Sequence, residues 1–341
     1  VVPAAVLFRP VAPRRRNQTV RESEVTRFFQ RSQKNFNSFR NPDFATMPRM
    51  SQTAQRPAPE LRRRLLRTLL LLISIYLIVG VVVACLQRRM IYHPSAFTSQ
   101  RVDQMAQAAG LERWRNPAGE SIGLKHLSPQ HPATGSVLIL YGNASYAAGC
   151  AHYADAIQSV AALDVFILEY PGYADRPGSP SQSSLFRAAE EGLEMLPTNE
   201  PIYLVGESLG SGVAAYLAGT HPDKVAGMVL ISPYNRLADL AQFHMPIFPV
   251  HLLLVDRFPS EDYLRNYHGP IGMVVDGHDM VTPEKFGLRL YNGYAGRKRL
   301  WDFPTGEHSA IAEPPAKFWQ EVVEFWRTST HAGSAGILPA K

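Results

Sequence analysis

The chain has 341 residues, of which 45% are apolar and 19% charged, so it can bury a sizeable core and wholesale disorder is excluded. Two cysteines, Cys85 and Cys150, are too few for a disulfide scaffold or a four-thiolate zinc site. The net charge of +6 is unevenly spread: up to Arg67 there are fourteen Arg and one Lys against four acidic residues, a balance of +11, and the remaining 274 residues carry −5. The basic character therefore belongs to one end, and a nucleic-acid partner is not expected.

Residues 1–60 are rich in Arg, Gln, Asn, Ser and Pro and lack a sustained apolar period, which predicts a disordered basic tail. The first residue is Val, and Met47 and Met50 are alternative starts that would place much of this tail outside the protein.

From Leu69 to Leu86 eighteen residues pass without a charge. At 1.5 Å per residue they cover roughly 27 Å, close to the hydrocarbon thickness of a bilayer. A helix apolar on every face belongs in a core or in lipid, and basic flanks on both sides favour lipid. The expectation is a transmembrane signal-anchor over 65–88. Arg62, Arg63, Arg64 and Arg67 precede the run and Arg88 and Arg89 follow it. The excess predicts a cytoplasmic N-terminus, with the rest of the chain on the far side. Two other readings fit: a cleaved signal peptide, or a lipoprotein signal in which Val82-Val83-Ala84-Cys85 places a lipid on Cys85.

From about 90 to 330 short apolar runs alternate with amphipathic stretches. Residues 137–141 (VLILY), 165–170 (VFILEY), 202–205 (IYLV), 228–232 (MVLIS) and 271–275 (IGMVV) are candidate strands, with a shorter one at 299–303. Continuous apolar runs mark strands covered on both faces, as in a parallel sheet. Helical patterns lie at 151–162, 183–196, 209–219 and 315–328. The alternation predicts a doubly wound, mostly parallel α/β sheet with helices on both faces. Residues 331–341 are expected to be a disordered tail.

Such sheets place their chemistry at the carboxyl ends of the strands. There the strand at 202–205 runs into Gly206-Glu207-Ser208-Leu209-Gly210 and then a helix, the strand–turn–helix setting of a nucleophile elbow. Ser208 would be lifted clear of the sheet at the positive end of a helix. A serine hydroxyl needs a base to take its proton. His308, after the last strand, is the expected base; His268 and His278 lie near the sheet end but do not follow that strand. The acid should come from the loop 276–283, where Asp279 is the choice and Asp276, which caps the strand end, the alternative. For the oxyanion, the backbone N–H of Leu209 and that of Asn143, in the turn after 137–141, are the expected donors.

These segments together resemble the membrane-anchored α/β-hydrolase-domain serine hydrolases, a group that includes animal protein depalmitoylases. The match runs over about residues 65–328. It rests on Arg89-Met90-Ile91-Tyr92-His93-Pro94, Tyr141-Gly142-Asn143-Ala144, Glu169-Tyr170-Pro171-Gly172-Tyr173, Gly206–Gly210, Asp279 with Pro283, and Gly306 with His308. Two departures stand out. The family usually has His where this chain has Tyr141, a loop-shaping position, and Gly where it has Ala174.

The resemblance implies an α/β-hydrolase fold preceded by one transmembrane helix. Residues 234–266 form an apolar insertion that would serve either as a short lid over an acyl pocket or as a hairpin packed on the sheet edge. The expected function is hydrolysis of a carboxylic ester or thioester through an acyl-enzyme. A peptidase or amidase on the same triad, or a catalytically silent membrane-tethered binding module, are the alternatives. No dinucleotide fingerprint, phosphate loop or zinc spacing occurs, so neither cofactor nor metal is expected. The expected partners are a small or lipid-like acyl substrate and the membrane.

Overall fold

The computed structural model describes residues 59–130, 132–309 and 317–334. Of the tails expected at 1–60 and 331–341, residues 1–58 and 335–341 lie outside the described residues. Two compact units divide between Thr68 and Leu69. The division falls within the first helix, α1 (Pro59–Ile91), so the unit from Leu69 onward carries the rest of that helix and all the elements below. By length and composition α1 can cross a membrane, and it extends beyond the span expected at both ends.

The second unit is built on an eight-stranded sheet in the order β1-β2-β4-β3-β5-β6-β7-β8. The strands are β1 (Glu112–Arg115), β2 (Ser121–His126), β3 (Ser136–Leu140), β4 (Asp164–Leu168), β5 (Ile202–Glu207), β6 (Val225–Ile231), β7 (Ile271–Asp276) and β8 (Lys298–Phe303). From β4 to β8 every pairing is parallel; β2 runs antiparallel to both β1 and β4. This is the doubly wound α/β architecture expected from the alternation. The edge hairpin β1–β2 was not expected. Its strands, ERWR and SIGLKH, carry charged residues beside their few apolar ones and lack the continuous runs of the central strands.

Helices cover both faces. They are α2 (Ser99–Ala108), α3 (Ala151–Gln158), α4 (Gln182–Glu194), α5 (Leu209–Thr220), α9 (Glu284–Gly293) and α10 (Phe318–Ser334), with three short helices between β6 and β7: α6 (Leu237–His244), α7 (Val250–Leu253) and α8 (Ser260–Tyr263). Helix α10 continues through Ser334, so residues 331–334, expected in the tail, are helical. Alternate residues of β5 serve opposite faces. Tyr203 stacks on Trp326 of α10 with ring centroids 4.6 Å apart, while a Cβ on Gly206 would lie 2.8 Å from that of Ala214 in α5.

The apolar stripe of α10 is fully used: Phe318, Val322, Val323, Phe325 and Trp326 are all buried. Trp326 is the largest of them and is wholly enclosed. Trp326→Ala should therefore destabilise the protein by about 3–5 kcal/mol, read as a lowered midpoint in chemical denaturation. A change below about 1 kcal/mol would mean that α10 is not packed on the sheet as described.

Candidate active site

The register of the sheet brings separate loops together. Leu140 of β3 pairs with Gly206 of β5, so residues two further along each strand become neighbours. A Cβ on Gly142 would lie 3.3 Å from Ser208 Cβ. Asp276 pairs with Phe303, which sets the loops carrying Asp279 and His308 side by side.

Ser208 occupies a tight turn. Its φ of 47° and ψ of −113° lie in a region that L side chains rarely adopt. The flanking glycines explain how the turn closes: a Cβ on Gly210 would lie 1.9 Å from the Leu140 carbonyl oxygen, and one on Gly206 2.8 Å from the Gly210 oxygen. Hydrogen bonds fix the turn, from Ser208 N to Ile231 O at 2.8 Å and from Ser211 Oγ to Ser208 O at 2.6 Å. Leu209 is the first residue of α5, so its N–H has no acceptor within the helix.

The structure brings Ser208, His308 and Asp279 together. His308 Nε2 lies 3.1 Å from Ser208 Oγ, and His308 Nδ1 lies 2.7 Å from Asp279 Oδ2. The other oxygen, Asp279 Oδ1, accepts the backbone N–H groups of Val281 at 2.8 Å and Thr282 at 2.7 Å. The carboxylate is buried, with 1% of its side chain exposed, and the imidazole is 26% exposed. These contacts fix the Asp279 carboxylate that faces the imidazole.

Asp276 has a different place. Its Oδ2 accepts the Ser232 hydroxyl at 2.9 Å, and Ser232 Oγ in turn accepts the N–H of Ser309 at 3.0 Å. This buried chain holds the residue next to His308. Sequence reasoning saw only that Asp276 ends a strand; Ser232 gave no signal, because its partners lie far away in the chain.

Asn143 lines the same cavity as Ser208 and Leu209. Its side chain is committed to the loop around it. Oδ1 accepts the N–H groups of His93 and Ala144, each at 2.9 Å, and the Tyr173 hydroxyl at 3.0 Å, while Nδ2 donates to Ile91 O at 2.6 Å. Whatever Asn143 offers to a bound molecule therefore comes through its backbone.

Tyr141, the departure from the family pattern, is wholly buried. Its hydroxyl donates to Glu169 Oε1 and accepts the N–H of Tyr170 at 3.2 Å, and its carbonyl accepts the Tyr170 hydroxyl at 3.1 Å. It thus joins the end of β3 to the 169–173 loop. Ala174, the other departure, has a φ of 48°, where glycine is the unstrained residue.

Above Ser208 lies a cavity of about 480 Å³, within the usual range for small-molecule sites. Its walls are mostly apolar, from Leu240, Met245, Phe248 and Leu254 of the insertion, Val83 and Met90 of α1, and Val281. Among the described residues no group of three or more His, Cys, Asp or Glu is placed to hold a metal ion.

Comparison with known proteins agrees with the architecture. The family model described as alpha/beta hydrolase fold matches residues 135–263, from β3 into the insertion. An uncharacterized protein of Mycobacterium tuberculosis is 32% identical over 229 residues, which cover 65% of this chain and 80% of that protein. The lysophosphatidylserine lipase ABHD12 of Danio rerio is 27% identical over 201 residues, 52% of this chain, and the chain spans 50% of that lipase. A solved Pyrococcus furiosus esterase superposes with a TM-score of 0.52 over 70% of this chain and 98% of its own, at 13% identity, a likeness of fold alone.

The Tyr141–Glu169 pair has a consequence for stability. Burial pushes the Glu169 carboxyl up to about 7, against the hydrogen bonds from Tyr141 and Ala147 that favour its charged form. Because the folded-state value is raised, the stability it contributes is complete below the ordinary carboxylate range and is lost as pH rises through about 7. Denaturation of wild type and Glu169→Gln at pH 5 and pH 8 should show wild type losing on the order of 3 kcal/mol relative to the variant. An unchanged gap between the two proteins would contradict the assignment.

Proposed function

Because the chain belongs to the α/β-hydrolase family, we propose that it is a serine hydrolase cleaving carboxylic esters or thioesters through an acyl-enzyme. One observation carries this reading: the continuous hydrogen-bond chain Ser208–His308–Asp279, at 3.1 and 2.7 Å, whose serine lines an apolar cavity.

In this mechanism Ser208 Oγ attacks the acyl carbonyl as His308 Nε2 takes its proton. Asp279 accepts the Nδ1–H, which holds the useful tautomer and stabilises the imidazolium. The backbone N–H groups of Leu209, at the positive end of α5, and of Asn143 receive the oxyanion of the tetrahedral intermediate. His308 then protonates the leaving oxygen or sulfur, and water releases the acyl group by the reverse proton path. Alkoxide or thiolate leaves more readily than an amine, which favours esters and thioesters over peptides. An apolar cavity suits a hydrocarbon acyl chain, and the lipid-acting relative fits the same substrate class.

The uncharged run of α1 is long and apolar enough to hold the enzyme at a membrane. Arg62, Arg63, Arg64 and Arg67 flank this run on one side and Arg88 and Arg89 on the other, and Arg88 pairs with Asp256 at 3.0 Å. This bias favours a cytoplasmic N-terminus with the hydrolase domain on the far side.

Turnover of p-nitrophenyl butyrate by the full-length protein tests the roles. Ser208→Ala should abolish it, and Asp279→Asn should lower kcat about 10⁴-fold. Asp276→Asn, which loosens the Ser309 turn, should stay within about tenfold of wild type while melting at a lower temperature. A folded Asp279→Asn variant with a near-normal rate would remove Asp279 from the mechanism.

A further inference from the structure

The cavity above Ser208 is not closed by the α/β domain alone. Along the last turns of α1, Gly80, Val83, Ala84, Gln87 and Ile91 are half-buried, while Val82, Cys85, Leu86 and Arg88 are exposed. The half-buried positions are three or four apart, so they form a single helical face. Of these, Val83, Ala84, Gln87 and Ile91 line the same cavity as Ser208.

The insertion is also fastened to this helix. Gln87 Oε1 accepts the Val255 N–H at 2.7 Å and its Nε2 donates to Leu253 O at 3.3 Å. Higher up, the Tyr76 hydroxyl donates to Ile247 O at 2.8 Å and its ring stacks on Phe248 with centroids 5.8 Å apart. Arg88 and Tyr92 both bond the buried Asp256, at 3.0 and 3.1 Å. Val83 and Ile91 pack against the small core formed by Ala238, Phe248, Val250 and Leu254. A tether needs only a uniformly apolar surface. A helix that clamps the insertion and turns one face to the nucleophile has a second task.

Building on the serine-hydrolase reading, we propose that α1 is a wall of the acyl-binding cavity and that Val83 and Ala84 set the length of linear acyl chain it accepts. Ala84 supplies the smallest apolar side chain on this wall, so a larger group there shortens the space. Val82, on the opposite and exposed face, provides a control of equal bulk.

The experiment measures kcat/KM of the full-length protein on p-nitrophenyl acetate, butyrate, octanoate and laurate. Ala84→Trp should lower the ratio of the laurate to the acetate value at least about tenfold, and Val82→Trp should leave that ratio unchanged. If Ala84→Trp loses acetate turnover too, Ala84→Leu and Val83→Ala decide: the first must move the preference to shorter chains and the second to longer ones. An unchanged chain-length profile in both overturns the proposal. A binding readout needs no turnover and separates this proposal from the hydrolase reading. The fluorescent fatty acid cis-parinarate should bind the Ser208→Ala protein at least about tenfold more weakly when Ala84→Trp is added. Equal binding by the two proteins contradicts the helix wall even if the esterase activity proves correct. Wild type inactive on every ester, with binding still sensitive to position 84, counts against the hydrolase reading alone.

Discussion

The constraint at the centre of the site is a close approach of two backbones. Helix α5 approaches β3 so tightly at Gly210 that a single added carbon would lie 1.9 Å from the Leu140 oxygen. That approach forces the chain to turn at Ser208 with a φ of 47°, a conformation that costs on the order of 1–3 kcal/mol. The hydrogen bonds of Ser208 N and Ser211 Oγ hold the turn against that strain. The result is a hydroxyl at the rim of the sheet, beside the first turn of a helix. Every other feature of the proposed chemistry is arranged around this point.

The loops that complete the site are each held by a buried carboxylate that the proposed mechanism does not use. Glu169 ties the 169–173 loop to Tyr141, Asp276 reaches the Ser309 turn through Ser232, and Asp256 gathers Arg88 and Tyr92. Loops cannot be positioned by apolar packing alone, because their backbone groups need partners. A carboxylate accepts several donors at once, so a single side chain can join distant segments. Asp279 works in the same way, accepting two backbone N–H groups with one oxygen and facing His308 with the other. In this sense the proposed acid is one of four anchoring carboxylates, distinguished by having an imidazole as its partner.

Much of this was legible in the sequence because it is local. Continuous apolar runs marked β3 to β7, and the spacing Gly206, Ser208, Gly210 between a strand and a helix marked the elbow. The order of Ser208, Asp279 and His308 along the chain followed from the order of strands, and the three side chains do meet. The edge hairpin was not legible, since ERWR and SIGLKH are short and lack an apolar run. The partners of Asp276 and Glu169 were hidden for another reason. A lone acidic residue at a strand end looks the same whether it caps a turn or joins two loops, and only the fold decides. The inward face of α1 was masked by its own composition: lipid and an apolar cavity select the same side chains, so periodicity was lost where both faces are apolar. A boundary drawn near residue 90 cuts through the lining of the cavity.

The central claim is that Ser208 is a nucleophile activated by His308. The most direct measurement is intact-mass analysis of the full-length protein after treatment with a fluorophosphonate. The account predicts a single phosphonyl adduct that maps to Ser208, disappears in Ser208→Ala and forms far more slowly in His308→Ala. Folded protein that takes up no adduct, or a Ser208→Ala variant labelled as fully as wild type, would contradict it.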